Sequence, residues 1–171
     1  MELTSFNLAG VCRGCIDLTM YLQDPPQAKD IREAWNIYRS YCPSEQLGWI
    51  KTATEFFWDE HVDLKEEKAL EPYLVDQDRR RDTGVMVRSG MIEGGWTFTI
   101  RGMFPKDLGA EECASFCRVV FPMDVEPEKV ANMAGRFIDS LKILSGHAGY
   151  SVDYDVGRIG TAFEHIYTWA R

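Results

Sequence analysis

Hydrophobic and polar positions alternate from Cys15 to Leu22. Ile16, Leu18, Met20 and Leu22 share one side and Cys15, Asp17, Thr19 and Tyr21 the other, the period of two that marks a half-buried strand. Asp24-Pro25-Pro26 ends that strand and opens a helix, with Pro26 in the first turn, where a missing N–H costs little. Ile31, Ala34, Trp35, Tyr38 and Cys42 then recur at helical spacing until Pro43 stops the run. A second strand is predicted over Gly48 to Phe57, and a short helix around Lys65 to Leu74, broken by Pro72, inside a charged stretch without a clean period.

The second half of the chain repeats the two patterns. Gly84 to Arg88 reads as a strand, Glu93-Gly94-Gly95 as a turn, and Trp96, Phe98, Ile100 and Phe104 alternate with Thr97, Thr99 and Arg101. This predicts a hairpin from Gly84 to Phe104. Ser115 to Phe121 is a further strand, closed by Pro122. A long helix is predicted from Pro127 to about Leu144, because Val130, Met133, Ala134, Phe137, Ile138, Leu141 and Leu144 form one stripe. Gly146 is its expected C-terminal break. Gly149 to Asp155 reads as a strand with Tyr150, Val152 and Tyr154 on one face, and a last helix begins near Gly157.

The predicted order is β-α-β, the charged stretch, then β-β-β-α-β-α. Several strands are joined by turns too short for a crossover, which disfavours a doubly wound parallel sheet. The fold class that fits is α+β, a mostly antiparallel sheet with amphipathic helices packed on one face. The 171 residues predict a single domain over 1–171. At that length folding buries roughly 68–70% of the unfolded chain's surface, so no disulfide or structural metal is needed to hold a core.

Charge narrows the partners. A net charge of −8 disfavours nonspecific nucleic acid or anionic membrane, both of which need a basic face. No basic n-region with an apolar run marks a signal peptide, and no run approaches the ~18 apolar residues of a membrane span. A cytoplasmic location is the expectation. The acids concentrate in one place: Asp59, Glu60, Asp63, Glu66 and Glu67 with only Lys65 and Lys68 among them, three net negative charges. Asp76, Asp78 and Asp82 neutralise the Arg79-Arg80-Arg81 cluster that follows. Such a stretch is by default a solvated face, and its functional reading is a docking surface that steers a basic partner.

Catalytic and ligand-binding signals are sparse. Cys12-Arg13-Gly14-Cys15 has C-x-x-C spacing, while Cys113 and Cys117, four apart, lack the second knuckle of a tetrathiolate zinc site. The pair enters a strand, whereas a redox dithiol opens a helix whose dipole lowers the thiol pKa. With Cys42 the cysteines number five, an odd count that precludes complete internal pairing. Small buried thiols are the simplest reading, with zinc and redox chemistry as the alternatives. His61, His147 and His165 stand in no ligand spacing. His147 is expected to hydrogen-bond the backbone of a tight helix-to-strand turn, or else to serve as a general base, for which no nucleophile can be assigned. No nucleophile elbow, Walker loop or dinucleotide fingerprint occurs.

Phe121-Pro122-Met123-Asp124, the long helix after it, and Ser145-Gly146-His147-Ala148-Gly149-Tyr150 occur in an order that resembles a bacterial family. This is the type VI secretion immunity-protein family, formerly a domain of unknown function. The early strand-helix pair and the aromatic strand at Trp96-Thr97-Phe98 fit the same order, so the similarity runs from about Cys15 onward. Members of the family continue past the helix in which this chain stops, so the chain resembles the N-terminal part of the domain, either as a short member or as a fragment of a longer protein. It also implies a non-enzymatic protein that neutralises a cognate effector toxin, encoded next door, by stoichiometric binding. Nuclease-type effectors are among the toxins so paired. The family brings no catalytic residues, cofactor or metal. The candidate partner-binding residues are therefore the exposed acids Asp59, Glu60, Asp63, Glu66, Glu67, Asp76 and Asp78. The competing function is a thiol enzyme, or a redox or metal protein, using Cys12 and Cys15.

Overall fold

A computed structural model describes residues 7–8, 12–47, 49–52, 60–61, 64–65, 70–74, 83–88, 95–102 and 115–154. In chain order its elements are β1 (Asn7–Leu8), β2 (Cys12–Leu22), α1 (Ala28–Tyr41), β3 (Trp49–Thr52), β4 (Glu60–His61) and α2 (Glu71–Leu74), followed by β5 (Thr83–Arg88), β6 (Thr97–Gly102), β7 (Phe116–Pro122), α3 (Pro127–Ser140) and β8 (Ile143–Tyr154). The strands form one sheet in the order β8, β2, β7, β6, β5, β3, β4, and β1 pairs with the start of β2. Every described pairing is antiparallel.

Register turns the alternation seen in the sequence into layers. Met20, Cys117 and Ile100 stand side by side across β2, β7 and β6, as do Leu18, Val119 and Phe98. Paired residues share a face, so these buried side chains form one apolar surface. Helices α1 and α3 cover it, bringing Ile31, Ala34, Trp35, Ile37 and Tyr38 from α1 and Val130, Met133 and Phe137 from α3. This is the α+β sandwich that the pattern predicts.

The centre of the core is aromatic. Tyr38 stacks on Phe98 at a centroid distance of 5.1 Å, and Trp35 lies 5.6 Å from Tyr38 and 6.0 Å from Phe98. Trp96 meets the edge of Phe121 at 5.2 Å, with Lys129 Nζ 5.0 Å above its ring. These contacts lock α1 to β6 and β7, since aromatic pairs add to the stabilisation from area burial alone.

Several boundaries differ from expectation, each for a local reason. Strand β2 begins at Cys12 because β1 and β8 both pair with its first residues. Pro26 lies outside α1: Gln27 is the N-cap, and its N–H donates to the Asp30 carboxylate at 2.9 Å. Pro72 falls inside α2, whose first turn tolerates it. The largest difference is α3, which stops at Ser140, with Ile143 already in β8. Ile138 and Leu144, assigned to the buried stripe by spacing, are 61% and 68% exposed. The ladder to β2 takes over there: Gln23 N–H donates to Lys142 O at 2.8 Å, Leu22 pairs with Ile143 and Tyr21 with Ser145.

Gly146 is thus no helix stop. It sits inside β8, where an added Cβ would lie 2.8 Å from Thr19 O, so its role is close backbone approach. Of the strand expected over Gly48 to Phe57, Trp49–Thr52 is observed; residues 53–57, Phe104 and the last helix from Gly157 lie outside the described residues.

Phe98→Ala removes the ring on which Trp35 and Tyr38 both pack, and is expected to cost about 3–5 kcal/mol in urea unfolding. The two central glycines of β8 should behave oppositely. Gly146→Ala is expected to cost about 1–3 kcal/mol because backbone must shift. Gly149→Ala, whose Cβ meets nothing within 4 Å, should stay within about 0.5 kcal/mol of the parent. Equal effects at the two sites would refute the close-approach role of Gly146.

Candidate functional site

The acidic stretch is tethered to α1. Leu64 and Leu70 are buried in the core, and between and beyond them the chain is held by two arginines on the outer side of α1. Arg39 Nη2 donates to Lys65 O at 2.6 Å. Arg32 grips Glu71 with both ends of its guanidinium, Nε to Oε1 at 2.6 Å and Nη2 to Oε2 at 2.9 Å. Both side chains of that pair are more than two-fifths exposed, so solvent screens it and its stabilisation is of the order of 1 kcal/mol or less. Its geometric effect matters more, because a bidentate fork fixes orientation as well as distance.

Of the expected docking acids, Glu60 is in β4, opposite Ile50. Asp59, Asp63, Glu66, Glu67, Asp76 and Asp78 lie outside the described residues. Spacing did not single out Leu64, Leu70, Arg32 or Arg39. Two leucines six apart in a run of charge were the available signal.

The thiol reading meets a geometric obstacle. Positions 12 and 15 belong to one continuous strand, so they fall on opposite faces of the sheet, about 10 Å apart along it. A disulfide needs Cα atoms within about 7 Å, and a shared metal needs both sulfurs on one side. Cys15, Cys42 and Cys117 are buried. Burial pushes the Cys42 thiol up to about 12, although the Tyr38 hydroxyl and Lys129 pull the other way. Burial alone drives the Cys117 thiol further still. The Tyr38 hydroxyl, buried beside Cys42, is raised well above its ordinary value, mainly by desolvation. None of these groups is a ready nucleophile, because the thiolate is the reactive form. Cys113 lies outside the described residues.

His147 is not in a turn. It stands within β8 opposite Thr19, exposed, with its ring 6.2 Å from that of Tyr21. On the same face, away from the helices, is a polar network that the sequence reading passed over. Arg118 donates from Nε and Nη2 to Asp17 Oδ2, and Thr19 Oγ1 donates to Asp17 Oδ1 at 2.6 Å. Asp17, Thr19, Thr97 and Thr99 are all buried there. The network satisfies the lone pairs of a carboxylate that would otherwise be costly to bury. Its signal was an acid in the middle of a strand, set against an arginine in another.

A shallow cleft of about 420 Å³ opens where the strand-to-helix and helix-to-strand links meet, lined by Asp24, Pro26, Lys29, Asp30, Leu141 and Lys142 among others. Its acids and lysines balance, and Lys142 Nζ already lies 3.4 Å from Asp24 Oδ2. Among the described residues no three His, Cys, Asp or Glu side chains gather as a metal site, and no helix is long and apolar enough to cross a membrane.

The sheet and its two long helices have a counterpart among solved structures. The fold is similar to that of Pseudomonas aeruginosa T6SS protein PA0821, with a TM-score of 0.67 and 15% identity over 85% of this chain. The match covers 43% of that chain, so the present sequence spans less than half of its length. At this identity the likeness is one of fold. No protein-family model and no curated protein matches the sequence.

Raised thiol pKa values set a pH dependence. Below pH 9.0, the ordinary thiol value, folded and unfolded chains both hold the Cys42 proton. As pH rises above that, the unfolded chain releases the proton while the folded chain keeps it until about 12, so stability falls. The expected loss is roughly 1 kcal/mol per pH unit for each such thiol, measured by urea unfolding at successive pH values. In the native state at neutral pH, Cys15, Cys42 and Cys117 should resist a thiol-specific reagent and react once urea unfolds the chain. Rapid native labelling at any of the three would overturn this assignment.

Proposed function

We propose that this chain is an immunity-type protein of a type VI secretion system. It binds a cognate antibacterial effector one to one in the cytoplasm and blocks it without catalysis. The observation that carries the reading is the fold shared with a T6SS protein over 85% of the chain. The order of Phe121-Pro122, the following helix and the Ser145-to-Tyr150 segment supports it from the sequence side.

The contact surface we assign is the acidic stretch, with Asp59, Glu60, Asp63, Glu66, Glu67, Asp76 and Asp78 as candidate residues. Leu64 and Leu70 root that stretch in the core, and Arg32 and Arg39 hold it to α1. Acids presented from a fixed base meet a basic surface with less ordering cost than a free loop, and they speed its approach. For a nuclease effector, such carboxylates would occupy the positions of substrate phosphates.

Co-expression provides the test. The effector encoded beside this chain should kill cells when expressed alone and be tolerated when this protein is present. Reversing charge with Asp63→Lys, Glu66→Lys and Glu67→Lys together should weaken the purified complex by at least about tenfold, chiefly through a slower on-rate, and leave thermal unfolding unchanged. Equal killing with and without the protein would sink the immunity reading. Full protection by the triple variant would remove the acidic stretch as its surface.

A further inference from the structure

We draw no further inference here: the strongest candidate, the polar patch on the sheet face away from the helices, where Arg101 Nε is buried without a hydrogen-bond partner one strand over from the Asp17–Arg118 pair, carries nothing because nothing among the described residues shows what covers that face.

Discussion

Strand β2 is paired along nearly its whole length on both sides, with β7 from Cys15 to Tyr21 and β8 from Cys12 to Leu22. A strand so placed has no freedom of register, because a slip by one residue would turn Leu18 and Met20 away from the helices and Asp17 towards them. Both faces enforce this. On one, Leu18 and Met20 meet the core; on the other, Asp17 must reach Arg118 and Thr19. The rest of the sheet takes its register from this strand, through β7 to β6 and so to the aromatic cluster under α1.

The same constraint decides where α3 ends. Helical spacing continues through Leu141 to Leu144, and no residue before Gly146 forbids a helix. What stops it is β2, whose end at Tyr21 and Leu22 would have no partner on that side if residues 143–145 stayed helical. Buried backbone groups in a central strand need partners. The ladder supplies them, and the cost is that Leu144 is left in solvent. Small residues make the exchange possible, since at position 146 only glycine fits against the backbone of Thr19.

The elements legible in the sequence were those whose pattern had a single cause. The alternation of β2, the α1 stripe and the Trp96-to-Ile100 strand each reflect one apolar face, and each was read correctly as to type. Residues 141–149 answer to two demands at once. Their apolar spacing suits the end of a helix, and their glycines suit a turn, yet a distant strand imposes extension. No local pattern carries that information. Likewise C-x-x-C spacing is informative only once the backbone is known, because the same four residues converge in a turn and diverge in a strand. For the acidic stretch, charge was legible and attachment was not. Its tethers are Leu64 and Leu70 on one side and the outward arginines of α1 on the other, separated by 39 residues in the Arg32–Glu71 pair.

The two ends of the sheet are built on opposite principles. At one end β4 is two residues long and carries Glu60, with further acids on either side of it in the sequence. Short length and like charge both discourage strand addition there. At the other end β8 is long and nearly uncharged, and its residues 144–150 are exposed.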